Sequence, residues 1–442
     1  MRLLRVAGLG LIAMLPCPAR AADPPRHVRA AHAATVRTGR VITLERAGGA
    51  YRSSGLWSET YELPPRTKLK AVRLTDPKCP GERCDIITQV RYADQADRWS
   101  QWHPANILPN AGFQAGPPRG CVLRKGRGAG EPRRYATSPM PRSGETAPMW
   151  RLPAPTGADV TLTAHFHADD GASRAGIGVE CSTGAHGGVK VSALAPRTRP
   201  NAGWRRLSVG LSVPPAARTF RARGVFDPAA GKASGGEFRM ADGALALEAR
   251  SPAARVHFRA DFSQPKAWKS VLGAPATWAS KPAASATFAL AAARPTAAMG
   301  RVQPVTLRAP AWVEIRAVLT VDHAVGAVNL LPVASRGAGL SLRCTGDRGT
   351  YRVWARAKLP GGGARLLLQA GLTGGKAGSV TFHAVELSAA EPPPAFRPRP
   401  PVGIIAFPRA VPARRLQIRS FLLTSDPKLT PSFAGYALET EP

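Results

Sequence analysis

Two stretches of this chain repeat each other at a fixed offset, and that repeat constrains the fold more than any other feature. The first runs Gly203-Trp-Arg-Arg-Leu-Ser-Val-Gly-Leu-Ser-Val-Pro214 and resumes at Ala217-Arg-Thr-Phe-Arg-Ala-Arg-Gly-Val-Phe226. The second runs Gly349-Thr-Tyr-Arg-Val-Trp-Ala-Arg-Ala-Lys-Leu-Pro360 and resumes at Ala364-Arg-Leu-Leu-Leu-Gln-Ala-Gly-Leu372. Gly203 and Gly349, Arg206 and Arg352, and Pro214 and Pro360 are all 146 residues apart. Each copy is a strand with apolar residues at alternate positions, a turn bearing proline, and a second strand of the same kind. A period of this length is domain-sized and too long for a solenoid or propeller unit, so it predicts two tandem β domains.

The ends of the chain are read next. Arg2 and Arg5 precede the apolar run from Val6 to Leu15, and Ala19-Arg20-Ala21 offers a small-residue cleavage site. This predicts a secretory signal peptide over residues 1–21, too short for a permanent membrane span. Cys17 invites lipid attachment, but Pro16 stands where a small residue is needed. Residues 22–40 are basic and rich in alanine, and are expected to be a disordered leader. From Ile42 onward the pattern is β: Glu59 to Leu63, Leu69 to Leu74 and Ile86 to Tyr92 alternate and are separated by turn residues. The set is short of a full sandwich. At the far end, Leu416-Gln-Ile-Arg-Ser-Phe-Leu-Leu423 and Phe433 to Leu438 supply two more strands around the turn Asp426-Pro-Lys-Leu-Thr-Pro431.

Three elements here, Gly55 to Leu63, Val90-Arg-Tyr-Ala93 with Trp99-Ser-Gln-Trp102, and Leu416 to Pro431, resemble a β-sandwich module of secreted bacterial proteins. The match covers about a quarter of the chain. In such modules the parts lie close in sequence, whereas here they are roughly 310 residues apart. The resemblance therefore implies one discontinuous sandwich, residues 41–116 plus 402–442, hosting the rest as an insertion at a loop. The competing reading is two unrelated β segments at the ends. Residues 117–145 read as a Gly-, Pro- and Arg-rich linker, 146–250 as the first repeat, 255–390 as the second, and 391–401 as a Pro-rich return linker. The repeats resemble the jelly-roll carbohydrate-binding modules of the cellulose- and xylan-binding type. The first copy supplies Gly203, Trp204, Leu207, Val213, Pro214, Ala217, Asp242 and Leu247, while the second has Thr350 in place of the tryptophan and no late aspartate. The expected fold class is all-β, with three β-sandwich or jelly-roll domains, the first discontinuous.

Charge bounds the partners. The formal net charge is +33, which attracts polyanions such as acidic polysaccharide. The arginines are scattered rather than clustered, so compositional bias explains them as readily as a selected partner. Nucleic acid is disfavoured for the same reason, because its binders cluster basic and aromatic residues on one face. Beyond Cys17, the chain has Cys79, Cys84, Cys121, Cys181 and Cys344. Export permits disulfides, and the Pro-Gly turn within Cys79-Pro-Gly-Glu-Arg-Cys84 predicts a Cys79–Cys84 bridge. The pairing of the other three stays open.

Sugar recognition needs an exposed flat ring with polar groups beside it. Trp150, Trp268 and Trp278 lie outside the clearest strands and are the candidate platforms, while Trp204 and Trp354 sit within alternating strands and read as core. Asp169-Asp170-Gly171 has the hard oxygen ligands of a structural calcium site, and is equally what a β-turn prefers. His165 and His167 alternate on one strand without a third zinc ligand nearby. Catalytic motifs are lacking. A polysaccharide lyase could draw on Tyr351, Arg352 and His383, although nothing in their spacing selects them. The expected function is therefore non-catalytic binding of a polysaccharide or cell-envelope glycan, outside the cell or at its surface. The alternatives are a structural or adhesive scaffold contacting other surface proteins, and a polysaccharide-active enzyme.

Overall fold

A computed structural model of the chain describes residues 25–78, 83–94, 96–104, 106–108, 113, 117–118, 120–126, 131–141, 143–169, 172–182, 188–196, 203–228, 236–248, 256–273, 275–280, 283–307, 311–333, 339–373, 377–393 and 403–441. The expected signal peptide, Cys17, Cys79 and Asp170 lie outside these residues. Secondary structure is almost wholly β, and every strand pairing among the described residues is antiparallel. No described helix is long and apolar enough to cross a membrane.

Alternation decides which side of each strand is buried. In Arg205–Ser212, Leu207, Val209 and Leu211 point into the core, and Arg206, Ser208, Gly210 and Ser212 take the other face. In Ala311–Asp322, Val313, Ile315, Ala317, Leu319 and Val321 are the core positions. Each repeat deals its strands alternately to two facing sheets. The first repeat places Asp159–Ala168, Arg205–Ser212 and Glu237–Glu248 in one sheet, and Ala172–Ser182, Gly188–Pro196 and Thr219–Pro228 in the other. The second places Ala311–Asp322, Gly349–Leu359 and Gly378–Ala389 beside the former, and Ala324–Pro332, Leu340–Gly346 and Gly362–Leu372 beside the latter.

The two jelly rolls are not separate beads. Arg205–Ser212 pairs with Gly349–Leu359, Val209 opposite Ala355. Gly188–Pro196 pairs with Leu340–Gly346, Val191 opposite Cys344. Equivalent strands of the two repeats thus zip together in both sheets, giving continuous sheets of 11 and 10 strands among the described residues over a single core cluster. Edge pairing removes the exposed strand that each jelly roll would otherwise present to solvent. On the outer face of the 10-stranded sheet the seam is also tied by charge. Arg343 of the second repeat donates from Nη1 and Nη2 to the two carboxylate oxygens of Asp227 of the first, at 2.7 and 2.6 Å. This two-point geometry makes the ion pair directional.

The third sandwich closes with both ends of the chain. Arg415–Thr424 lies between Ser54–Glu62 and Cys84–Ala93 in one sheet. Lys68–Thr75 lies between Ile404–Pro412 and Gly435–Glu441 in the other. Leu69, Val72, Val90, Leu416 and Ile418 fill the space between them.

Several expected boundaries move. In the expected disordered leader, Arg26–Ala33 and Thr35–Thr38 are strands, the first added to the edge of Ser54–Glu62. All eight side chains of Arg26–Ala33 are exposed, so no hydrophobic alternation marks it and only backbone pairing defines it. The expected linker contains Val122–Lys125 and Arg134–Pro139, which pair with each other and extend the first repeat's sheet beyond Glu237–Glu248. Ile107, Leu108 and Phe113, read from sequence as part of the split sandwich, are buried in the core of the repeats.

The Cys79–Cys84 bridge has one partner outside the described residues. Cys84 is buried, and its Sγ donates to Thr424 Oγ1 at 3.5 Å. No disulfide forms among the described residues, and Cys181 and Cys344 are buried thiols. Cys121 is partly buried beside Met149 Sδ, and burial pushes its thiol up to about 11. Only the thiolate is alkylated. Iodoacetamide at pH 8 is therefore expected to modify Cys121 about a hundredfold more slowly than a small-molecule thiol. Mass spectrometry of the Cys121 peptide over time reads this directly, and reaction at the small-molecule rate contradicts the burial.

Candidate functional site

A groove of about 520 Å³ opens on the outer face of the 11-stranded sheet. Register builds it. Gly210, Trp354, Arg316, Glu386 and Arg259 lie side by side on five neighbouring strands. The next row along the strands is Arg352, Val318 and Ala384. A third row holds Thr350, Thr320 and Thr381. Three guanidinium groups, from Arg259, Arg316 and Arg352, thereby line one depression with two carboxylates, Asp159 and Glu386.

The floor is an indole. Trp354 is only 5% exposed, and its Nε1 donates to Thr161 Oγ1 at 2.7 Å. To reach Thr161 the ring lies across Gly210, where a Cβ would overlap both the indole and the Val160 carbonyl. Glycine is required at this position by the ring above it. Thr161, Asp159 and Gly210 belong to the first repeat and the arginines to the second, so the groove exists only because the repeats share a sheet.

The arginines are held from below and beside. Glu314 is 3% exposed, and its two carboxylate oxygens accept from Arg316 Nε and Arg356 Nε. Arg259 donates to Glu386 Oε2 through Nη2 at 2.7 Å and Nε at 3.1 Å. Asp159 accepts from Ser212 Oγ. In the third row, Thr320 Oγ1 meets His383 Nε2 and Thr350 Oγ1, both at 2.7 Å. The ensemble offers fixed donors and acceptors above a mixed apolar floor, which is the chemistry of hydroxyl and carboxylate recognition.

The expected platforms are elsewhere. Trp150 is 4% exposed and stacks on Phe113 at 5.1 Å between ring centroids. Trp268 is 8% exposed and packs on Phe262. Trp278 is partly buried, against Phe262 and the core. These rings begin or occupy strands of three to five residues, too short to show an alternation in sequence, yet paired strongly enough to turn the rings inward. Trp150 and Trp268 are core residues, not platforms. Trp354, read as core, is buried but floors the groove.

Asp169 is committed to its turn: Oδ2 accepts from Glu237 N at 2.9 Å, and Oδ1 lies 3.5 Å from Arg239. No group of three or more potential metal ligands occurs among the described residues. His165 faces Asp242 at 3.2 Å, and His167 lies against the Trp204 ring. The three lyase candidates do not converge. Arg352 lines the groove and His383 lies a row beyond, but Tyr351 alternates with them onto the other face of its strand. There its hydroxyl donates to Asp347 O, and burial pushes it up to about 12.

Glu314, Arg316, Arg259, Glu386 and Asp159 escaped the sequence reading. Alternation in Trp312-Val-Glu-Ile-Arg316 does put Glu314 and Arg316 on one face. Only the neighbouring strands show that this face is a site.

No family model and no curated protein matches the chain. Among solved structures it is similar to the N-terminal CBM22-1–CBM22-2 tandem domain of Paenibacillus barcinonensis Xyn10C, at 11% identity over 71% of this chain and 100% of that one, TM-score 0.24. TmCBM61 in complex with β-1,4-galactotriose is 16% identical over 29% of this chain and 83% of its own, TM-score 0.19. An exo-β-1,3-galactanase from Phanerochaete chrysosporium is 8% identical over 80% and 94%, TM-score 0.21. Similarity of this degree assigns neither ligand nor activity, and what the chain does has to be read from its own groove.

Proposed function

We propose that this is an exported, non-catalytic glycan-binding protein whose groove takes an acidic oligosaccharide. The observation carrying this reading is the row Trp354–Arg316–Glu386–Arg259 with Arg352 beside it, in a groove of about 520 Å³. Guanidinium forks match carboxylates in two-point geometry, and Glu386 and Asp159 accept from sugar hydroxyls. The net charge of +33 draws polyanions to the surface, and the groove gives them a place to dock. Against catalysis, a glycosidase needs two carboxyl groups set across the scissile bond, whereas Glu386 is tied to Arg259 and Glu314 lies beneath Arg316 and Arg356. A lyase reading is weakened by Tyr351 turning away from Arg352. The leader at residues 1–21 underlies the export part of the proposal.

Isothermal titration with trigalacturonate and xylotriose, in 0.15 and about 0.5 M salt, tests the reading. Trigalacturonate is expected to bind at both salt concentrations. Arg352→Ala is expected to weaken that binding about ten- to a hundredfold, the worth of a charge-assisted contact. Equal binding of both sugars, or loss of all binding in high salt, removes the groove from the explanation. A scaffold role has one feature in its favour: the edge strand Trp268–Leu272 exposes Val271 and Leu272, and such an edge accepts another protein's strand.

A further inference from the structure

The structure assigns a second saccharide site to the first repeat, an inference that rests on the groove reading above. Residues 146 apart, Val209 and Ala355, face each other where the repeats pair. A strand that pairs antiparallel with its own copy, residue against equivalent residue, puts a local two-fold axis normal to the sheet. That axis carries Arg352 onto Arg206 and Val318 onto His165, because His165 faces Arg206 in register just as Val318 faces Arg352.

Both repeats also shift register against their last strand next to this row, on opposite sides of it. One shift falls between Thr163 and His165 against Glu237–Glu248, the other between Val318 and Leu319 against Gly378–Ala389. In the first repeat Asp242 takes the extra position with φ +50°, an unusual conformation for a residue with a side chain, and its carboxylate meets His165 Nδ1 at 3.2 Å. In the second, His383 meets Thr320. Each copy therefore lifts one polar side chain onto the outer face beside a conserved-by-symmetry arginine.

What surrounds that arginine differs between the copies. Trp354, the floor of the groove, corresponds to Ser208, so the first repeat lacks a ring beneath. It has one beside instead: Trp204, half-buried, sits in the place of Thr350 and packs edge-on to Tyr135 at 5.2 Å, with His167 at 6.2 Å. Packing on two sides fixes the indole, and a fixed ring loses little freedom on stacking against a sugar. Arg206 supplies donors, Asp242 an acceptor, and His165 either.

Two strands separate Asp159–Ala168 from Ala311–Asp322, about 14 Å across the sheet, and Arg206 and Arg352 lie three residues to either side of the Val209–Ala355 pair, about 20 Å along it, so the two sites are roughly 25 Å apart on one face. A two-fold axis reverses direction, so a directional polymer meets the two sites in opposite senses. Sites with different side chains accommodate that, and a single polysaccharide held at both gains affinity through effective concentration.

Titration of the full mature chain with trigalacturonate is expected to give two molecules bound. Arg206→Lys with Asp242→Asn should leave one, and Arg352→Ala the other. Polygalacturonate should bind the wild type at least tenfold more tightly than the trimer, and either variant should abolish that advantage. A single site in the wild type, lost with Arg352→Ala and untouched by the Arg206 and Asp242 changes, overturns the second site while leaving the groove intact. Absence of binding by wild type in both assays overturns the groove reading and this one together. Circular dichroism of each variant separates loss of a site from loss of the fold.

Discussion

Gly210→Ala is expected to destabilise the protein by about 3 kcal/mol and to abolish binding in the groove. An added Cβ would fall inside the Trp354 indole and against the Val160 carbonyl. Neither can yield cheaply: the carbonyl belongs to a paired strand, and the ring is anchored to Thr161. Forcing extra volume into a packed site costs about 1–3 kcal/mol. Pulling the indole from Thr161 adds about 1 kcal/mol or more for a buried N–H without its partner. Gly363→Ala is the control, since a Cβ there meets only ordinary contacts at 3.5 Å and beyond; it is expected to lie within about 0.5 kcal/mol of wild type. Urea unfolding followed by tryptophan fluorescence measures both. Equal stabilities for the two variants would mean that the indole does not lie over Gly210.

Glu314→Ala is expected to cost about 2 kcal/mol and to weaken saccharide binding about tenfold. The carboxylate is nearly inaccessible, and Arg316 and Arg356 converge on it from its own strand and the next. Removing one member of a buried ion cluster costs about 3–5 kcal/mol when the remaining charges stay buried. Here the side chains of Arg316 and Arg356 are 37% and 19% exposed. Both can turn partly to water, which brings the figure down. The binding loss has a different origin: Arg316 without Glu314 is no longer held toward the groove, so ordering it becomes a cost of binding. Glu314→Gln keeps an acceptor in place and should fall between Ala and wild type in both measurements. Chemical denaturation and titration on the same three proteins check this. Loss of stability without loss of affinity would confine Glu314 to the fold.

Much of the sheet architecture is legible in the residues. Alternation in Arg205–Ser212 and Ala311–Asp322 sorts core from outer positions correctly, because in a strand successive side chains point to opposite faces whatever the partner. The distant ends of the chain are legible as one sandwich through the resemblance of their motifs. Where alternation is missing, reading fails. Arg26–Ala33 buries no side chain and Val122–Lys125 none fully, so both read as leader or linker although they are strands. Trp150 and Trp268 stand at the beginnings of short strands, and a window of four or five residues cannot tell an inward ring from an outward one.

By itself, then, the sequence determined an all-β chain with a domain-sized repeat and the alternation that sorts most strand positions, though Trp204 and Trp354, read as core, stand on the outer face. Tertiary structure alone decided that Val209 would lie against its own copy Ala355, and so that the two repeats would form one sandwich. It alone decided that Trp354, Arg316, Glu386 and Arg259 would share one row. The reason is the range of the interactions. Facing follows from the local geometry of the backbone, whereas partner and register follow from long-range burial and hydrogen bonding between segments far apart in the chain. A groove made of one residue from each of several strands exists only at that second level.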